Sequence, residues 1–222
     1  MMTIKEIYEA FDKIGSCTFA TIDGDYPETR IAHFLAYDEE GIYFSTMFVK
    51  PFYKQLVKTK KVAVCGLYAD TKVTEVDAEN IYFEPGYFAR ISGDVREVSI
   101  DELKSKNNPA FQFFIADQER YPAMVAFVLY RAKGEIFDYD FEMEHRENKV
   151  ERARFSYGGF PVEPAGLRIT DKCINCGKCI KVCSFKAIYK DDTKFSINGT
   201  RCDECGDCYL ACPVKAIIQK GV

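Results

Sequence analysis

Eight of the ten cysteines in the 222-residue chain lie in its last 50 residues, in two runs with the same spacing. Three thiolates on one tight loop can hold three corners of an iron–sulfur cubane, and the fourth corner needs a ligand from elsewhere. The spacing therefore predicts two [4Fe–4S] clusters. The runs are Cys173-x2-Cys176-x2-Cys179-x3-Cys183 and, 29 residues later, Cys202-x2-Cys205-x2-Cys208-x3-Cys212.

The fourth cysteine of each run is expected to complete the cluster of the other run, because proteins with this spacing ligate their clusters in that way. One cluster is then held by Cys173, Cys176, Cys179 and Cys212, and the other by Cys202, Cys205, Cys208 and Cys183. Zinc is the alternative metal. It usually takes two separated pairs of cysteines, so the third cysteine in each run favours iron.

The repeat extends beyond the cysteines, since Gly177 and Lys186-Ala187-Ile188 recur as Gly206 and Lys215-Ala216-Ile217. Over about 55 residues the segment resembles bacterial two-[4Fe–4S] ferredoxins. The resemblance implies a small α+β ferredoxin-like domain, which we place at residues 167–222.

One position departs from the ferredoxin pattern. Pro213 follows the last cysteine of the second run, whereas Ser184 follows Cys183 at the matching position of the first. Proline shapes the backbone and has no N–H. We therefore expect the serine to alter the hydrogen bonding or the potential of one cluster without abolishing it.

A stretch rich in glycine and proline, residues 156–166, precedes the cysteine runs and is typical of a linker. We expect a first domain at residues 1–158, a linker at 159–166 and the cluster domain after it. Charge divides at nearly the same place, because residues 161–222 carry ten Lys and Arg against seven Asp and Glu. This positive segment would offset the negative charge of thiolate-ligated clusters.

The overall composition excludes several classes of protein. With 47% hydrophobic and 29% charged residues, the chain is typical of a soluble globular protein. A formal net charge of −4 argues against nucleic acid as a partner, because phosphate binding needs a basic surface. No apolar run approaches the roughly 18 residues that cross a bilayer, and the start of the chain has no apolar signal-peptide core.

These features predict a cytoplasmic protein without a membrane partner. Thiols stay reduced in the cytoplasm, which favours metal ligation over disulfides. The two remaining cysteines, Cys17 and Cys65, lie in apolar strand-like runs. We expect them to be buried, inert thiols.

The first 155 residues predict a mainly β domain with a few helices. A capping box, Thr3-x-x-Glu6, opens an amphipathic helix. Short apolar runs bounded by turn residues predict strands, of which the first three are expected to form an antiparallel meander. Because closure removes exposed edges, we expect a closed barrel with helices at its rim. The predicted helices span residues 4–13, 51–58, 101–106 and 109–117, and the strands span 17–22, 29–37, 42–47, 61–68, 81–83, 87–98 and 124–138.

Three segments of this domain carry a second resemblance. They are Tyr26-Pro27-Glu28-Thr29-Arg30-Ile31-Ala32-His33-Phe34, Gly41-Ile42-Tyr43-Phe44-Ser45-Thr46, and the lysine-rich stretch that ends Lys60-Lys61-Val62-Ala63-Val64. In this order, over about 150 residues, they are similar to the pyridoxamine 5′-phosphate oxidase-like, FMN-binding split barrels. The resemblance implies a split β-barrel, FMN as cofactor and a homodimer with the flavin in the subunit interface.

The resemblance also indicates where FMN would bind. Its phosphate needs cationic or hydroxyl donors, and the N–H groups at a helix start add to such a site. The helix start departs from the family's Ser-Arg-Lys and has Lys50-Pro51-Phe52, so the lysine that reaches the phosphate stays open. His33 is a catalytic candidate, although a structural hydrogen bond is its favoured role. The expected cofactor-binding residues are Arg30, Ile31, His33, Ser45, Thr46, Lys50 and Lys54.

Together the two domains predict an anaerobic-type oxidoreductase. Iron–sulfur clusters move single electrons, whereas a flavin collects two and delivers them as a hydride. We expect electrons to pass between the two clusters and FMN, an external electron carrier or redox partner protein, and a small organic substrate that is reduced or oxidised. The alternatives are an electron relay without a small substrate, and a split barrel that binds haem, deazaflavin F420 or no cofactor.

Overall fold

The computed structural model describes residues 2–68, 73–77, 80–83, 86–139, 152–161 and 166–219. The chain divides into two compact units. Residues 162–165 of the predicted linker lie outside the described residues. Within the described ranges, no helix is long and apolar enough to cross a membrane. The first unit contains Met1–Tyr68, Phe88–Glu135 and Arg154–Val162, and the second contains Ala69–Tyr87, Ile136–Ala153 and Glu163–Val222.

Strands predominate over helices in the described residues, which confirms the mainly β fold class. Most predicted elements are present with their ends shifted by a few residues. In chain order the elements are α1 (Ile4–Ile14), β1 (Cys17–Asp23), β2 (Tyr26–Ala32), β3 (Ala36–Tyr37), β4 (Ile42–Met47), α2 (Pro51–Thr59), β5 (Lys61–Tyr68), β6 (Val73–Asp77), β7 (Asn80–Phe83), β8 (Gly86–Val98), α3 (Ile100–Ser105), a 3-10 helix (Pro109–Phe111), α4 (Gln112–Arg120), β9 (Met124–Tyr139), β10 (Arg152–Tyr157), β11 (Leu167–Ile169), α5 (Lys178–Lys181), β12 (Ile188–Lys190), β13 (Phe195–Ile197), α6 (Asp207–Ala211) and β14 (Ile217–Gln219).

Helix α1 begins at the predicted capping box. The Thr3 hydroxyl accepts a hydrogen bond from the Glu6 N–H at 3.2 Å, and the Glu6 carboxylate accepts one from the Thr3 N–H at 2.7 Å. Two backbone donors that the helix leaves unpaired are thereby satisfied. Ile7 and Phe11 lie one turn apart and are fully buried, so the helix packs its apolar face on the rest of the first unit.

The large sheet has the strand order β2-β1-β5-β8-β9-β4-β3, and β10 also pairs with β9. Strand β1 runs antiparallel to β2 and β5, and β4 runs antiparallel to β3 and β9. The order has two ends, at β2 and at β3. Among the described strands the hydrogen bonds therefore form a split barrel. The closed barrel that the number of strands predicts is not formed by these described strands.

The predicted strand at residues 29–37 is wrong, and with it the meander. A tight turn places Tyr26 opposite Asp23, so the chain pairs β2 with β1 only as far as Ala32 and then leaves that edge. It resumes as β3 beside β4 at the other end of the sheet. The Leu35 N–H, between the two strands, donates to the Tyr43 carbonyl at 2.8 Å.

An aromatic core fixes helix α2 against the sheet. The Phe44 ring lies 5.2 Å from Phe19, 6.0 Å from Phe52 and 5.8 Å from Phe127, measured between centroids. All four side chains are buried, and burial of each contributes about 1.5–3 kcal/mol. Because Phe52 belongs to the first turn of α2, this packing sets the position of the residues at the helix start.

The elements of the second unit around the cysteine runs are much smaller. Strand β11 pairs with β14, and β12 pairs with β13, all antiparallel and three residues long. Helices α5 and α6 have four and five residues. Elements of this size bury little apolar surface. Two of the cysteines therefore form part of the main core cluster, which consists of Leu167, Cys179, Ile188, Phe195, Cys208 and Ile217.

Candidate cluster and cofactor sites

The two cysteine runs fold into loops with the same backbone geometry. In the first loop, residues 173–179, Asn175 and Gly177 have φ of 56° and 71°; in the second, residues 202–208, Glu204 and Gly206 have φ of 61° and 88°. Left-handed residues make a turn tight enough to aim successive thiols at one point, and glycine adopts this region without strain. The internal repeat of the sequence is thus a repeat of structure.

Each loop encloses a cavity lined by four thiols. The cysteines of the first cavity are Cys173, Cys176, Cys179 and Cys212. Those of the second cavity are Cys183, Cys202, Cys205 and Cys208. The structure therefore brings together the two sets of four ligands that the sequence predicts, each including the last cysteine of the other run. Among the described residues, no three His, Cys, Asp or Glu side chains are placed to hold a single metal ion.

The fourth thiol of each cavity receives a backbone hydrogen bond. The Ala187 N–H donates to Cys183 Sγ at 3.3 Å, and the Ala216 N–H donates to Cys212 Sγ at 3.2 Å. The two turns match although serine follows one cysteine and proline the other. The serine at position 184 therefore leaves this hydrogen bond in place, and its expected effect on the cluster stays a prediction.

Burial affects the protonation of two of the thiols in these cavities. Burial raises the pKa of the Cys208 thiol to about 11, and burial also raises the pKa of Cys179. Thiolate, the form that ligates metals, is thus disfavoured unless a positive charge stabilises it. Iron would supply that charge, so the donor set of four thiols around each cavity fits a [4Fe–4S] cluster.

A separate cavity of about 740 Å³ lies in the first unit. It contains six of the seven residues expected to bind FMN: Arg30, Ile31, His33, Ser45, Thr46 and Lys50. The seventh, Lys54, is exposed on α2 and does not line the cavity. Sequence reasoning missed several lining residues, namely Asp23, Glu28, Ala32, Leu35, Pro51, Phe52, Gln55, Phe113 and Asp117.

Arg30 is held in place on three sides. Its guanidinium donates to Thr21 Oγ1 at 2.5 Å and to Gln55 Oε1 at 2.8 Å, and lies 4.3 Å from the centre of the Phe52 ring. Gln55 in turn donates to the Asp23 carboxylate at 3.2 Å. Burial lowers the pKa of Arg30, but a guanidinium stays charged at neutral pH. Two of its five N–H donors serve these bonds, which leaves others to face an anion.

Lys50 and the hydroxyl side chains come from the other wall of the cavity. Ser45 and Thr46 lie near the end of β4, opposite Ala126 and Val125 of β9. Lys50 is the N-cap residue of α2, and Pro51 is its first helical residue. Proline suits this position, because the first helical N–H would have no partner in the helix. The cavity therefore has a helix N-terminus, two hydroxyls and two cations.

His33 is held by a hydrogen bond to the backbone of Gly15, the residue that follows α1. Its Nδ1 lies 2.9 Å from the Gly15 carbonyl oxygen, and an N–H donor there requires the proton on Nδ1. The ring is exposed and lines the cavity. The hydrogen bond is the structural one that the sequence analysis favoured, and Nε2 is the ring nitrogen that remains to face a ligand.

The two N-terminal cysteines differ from each other. Cys17 is buried, and burial raises the pKa of its thiol to about 11, as expected for an inert group. Cys65 is exposed, so its predicted burial is wrong. Side chains alternate along β5, where Val62 and Val64 face the core, and Cys65 therefore points to the other face.

Comparison with known proteins gives one family match and several similar folds. Residues 172–217 match the family described as "4Fe-4S dicluster domain". No curated protein matches the chain. A NimC/NimA family protein from Clostridium acetobutylicum is 22% identical, with 69% of this chain and 91% of that chain covered and a TM-score of 0.48.

Two other solved structures are similar at lower identity. An FAD-binding protein from Mesorhizobium loti is 11% identical, with 63% of this chain and 96% of that chain covered and a TM-score of 0.44. HutZ, a haem storage protein from Vibrio cholerae, is 15% identical, with 59% and 90% covered and a TM-score of 0.39. The family match favours [4Fe–4S] over zinc at the cysteine runs. Residues 172–217 thus match a 4Fe–4S dicluster domain, and the chain joins this segment to a mainly β split barrel.

Proposed function

We propose that the chain is an oxidoreductase in which two [4Fe–4S] clusters exchange single electrons with FMN to reduce or oxidise a small organic substrate. The 4Fe–4S domain gives the chain an electron-transfer role. The observation that carries the proposal further is the cavity of the first unit, where a fixed guanidinium and a helix N-terminus line one space. When bound, the clusters would supply single electrons and FMN would supply two-electron chemistry.

The count of two clusters is supported by the two cavities. Cys173, Cys176, Cys179 and Cys212 would hold one cluster, and Cys183, Cys202, Cys205 and Cys208 the other. One thiol of the first set, Cys179, and two of the second, Cys202 and Cys208, are buried, and the other thiols of both sets are exposed or half-buried. This arrangement keeps a cluster near the surface of the domain, as exchange of electrons with an external carrier or redox partner protein requires.

FMN is supported by the volume of the first-unit cavity and by Arg30 and Lys50 among its lining residues. Its volume of about 740 Å³ lies within the range usual for small-molecule sites. The FMN phosphate would lie between Arg30, Lys50 and the start of α2, with Ser45 and Thr46 as hydroxyl donors. Since Thr21 and Gln55 already hold the guanidinium, little side-chain freedom is lost when an anion binds.

Acidic groups beside the cavity favour an enzyme over a simple electron relay. Reduction of an organic substrate needs a proton donor near the flavin. His33, Asp23, Glu28 and Asp117 line the cavity and are side chains of the types that take part in acid–base catalysis, whereas a relay of electrons between proteins has no need of them.

A homodimer is supported by exposed apolar residues beside the cavity. Strand β2 is an edge of the sheet, and unpaired edges favour association with another chain. Tyr26 and Ile31 on this strand are 75% and 65% exposed, and Val49 and Phe113 near the cavity are 64% and 56% exposed. Apolar patches of this kind mark interaction surfaces. We propose that a second copy covers them in the cytoplasm.

Replacing Arg30 by alanine tests the flavin site. Loss of a charge-assisted hydrogen bond to the phosphate costs enough to weaken FMN binding roughly 10- to 100-fold. Titration of flavin-depleted protein with FMN, followed by fluorescence, measures this change. The Arg30→Lys variant keeps the charge and should recover part of the affinity.

Lys54→Ala is the matched control. Lys54 is also a basic residue, and it belongs to the helix α2 whose start lines the cavity, but its own side chain lies outside the cavity. Its affinity for FMN should stay within about twofold of the unmodified protein. Unfolding by urea, measured for each variant, separates loss of binding from loss of the fold. Equal affinities of the Arg30→Ala and Lys54→Ala variants for FMN would show that FMN does not bind in this cavity.

A further inference from the structure

Arg152, which lies outside both cysteine runs, contacts the second cluster loop. Its guanidinium donates to the Asp203 carboxylate at 3.0 Å and lies 3.8 Å from the Glu204 carboxylate. Its backbone N–H donates to the Thr200 carbonyl at 2.8 Å. The side chain is only 10% exposed and packs over the Phe137 ring, 4.9 Å from its centre. One residue at the start of β10 thus bonds the loop through its side chain and the turn just before the loop through its backbone.

The loop that Arg152 contacts is acidic, in contrast to the first. Asp203 and Glu204 lie between the cluster ligands Cys202 and Cys205, and both line the second cavity. The matching positions of the first loop hold the neutral residues Ile174 and Asn175. The backbones of the two loops agree, so the difference between them is one of charge.

Glu204 has a backbone conformation that is uncommon for its residue type. Its φ of 61° lies in the left-handed region, which asparagine tolerates better than glutamate. Asn175, at the matching position, is held within its own module, because its side-chain amide donates to the Thr193 carbonyl at 3.1 Å. In the second loop the ion pair with Arg152 takes that place.

We propose that Arg152 is a positioning residue of the second cluster, which holds the acidic loop in shape and raises the reduction potential of that cluster. A cluster gains negative charge on reduction, and nearby carboxylates disfavour this gain. A buried guanidinium next to both carboxylates offsets them at short range. The potential of the first cluster, which lacks this pairing of charges, is set independently of Arg152. The inference rests on the second cluster of the proposed function.

The Arg152→Gln variant of the full chain tests the proposal. Midpoint potentials are measured by redox titration followed by electron paramagnetic resonance. A Cys176→Ala/Cys212→Ala background removes two ligands of the first cavity and so assigns the remaining signal to the second cluster. We expect the second midpoint to fall while the first stays unchanged. Arg152→Lys, which keeps the charge, should leave the second midpoint closer to its original value.

Asp203→Asn provides the opposite change and should raise the second midpoint. If the Arg152→Gln variant fails to retain iron, the midpoint of the Asp203→Asn variant tests the role of Arg152 in its place. Arg154→Gln is the matched control, because Arg154 belongs to the same strand but pairs with Glu135 in the first unit. A second midpoint that stays constant in iron-replete Arg152→Gln or Asp203→Asn protein, or equal shifts of both midpoints, would overturn the role of Arg152. An unmodified protein with only one cluster would instead overturn the cluster count.

Discussion

Replacing Cys176 and Cys212 together by alanine is expected to halve the iron content, from about eight to about four atoms per chain. Both thiols line the first cavity, although 35 residues, including most of the second run, separate them in the sequence. Two remaining thiolates cannot hold a cubane, whereas all four ligands of the second cavity are intact. Iron analysis after gel filtration under anaerobic conditions measures the result.

The matched variant replaces Cys205 and Cys212. It removes one ligand from each cavity, so both clusters should be damaged. Electron paramagnetic resonance of the reduced protein should then show neither cluster intact. If ligation followed the sequence runs instead, the two results would be exchanged, and Cys205→Ala/Cys212→Ala would keep one intact cluster. The comparison therefore tests crossed ligation without prior assignment of either signal.

Removal of iron by a chelator is expected to unfold residues 167–219 and leave the first unit folded. The strands there are three residues long and the helices four or five, and thiols form part of the core. Without metal, a module of this size buries too little apolar surface to stay folded. The first unit has its own aromatic core around Phe44, which contains no cysteine run.

Hydrogen exchange followed by mass spectrometry measures this difference segment by segment. After chelation, amides of residues 167–219 should exchange at nearly the rate of an unfolded chain, while those of β4 and β5 keep their protection. A Cys65→Ser variant is the control for chemistry at the exposed thiol of the first unit. Persistent protection at residues 167–219 without iron would show that the metal does not stabilise the module.

Local signals in the sequence were sufficient for much of the fold. The capping box at Thr3 and Glu6 defines the start of α1, and the turn residues 38–41 define the start of β4. The spacing of the cysteines was enough to group them, because ligation by a common metal cluster constrains distant residues. These features depend on neighbours in the sequence or on known ligand chemistry.

Features set by long-range packing could not be predicted in this way. Residues 29–37 look like one apolar strand, but the chain crosses to the other edge of the sheet after Ala32. Gln55 reaches Arg30 because α2 packs on the sheet through Phe52, and no pattern in the sequence signals that contact. The bond from Arg152 to Asp203 spans 51 residues. Only Cys65 had an unused signal, since alternation with Val62 and Val64 places it on the exposed face.

The presence of both kinds of redox group in one chain is the central claim, and their stoichiometry tests it most directly. The measurement is iron, acid-labile sulfide and flavin per chain in anaerobically purified protein, with the flavin released by acid and identified. We expect about eight irons, about eight sulfides and about one FMN per chain. Zinc in place of iron would contradict the cluster sites, and about eight sulfides with haem or no cofactor in place of FMN would contradict the flavin site.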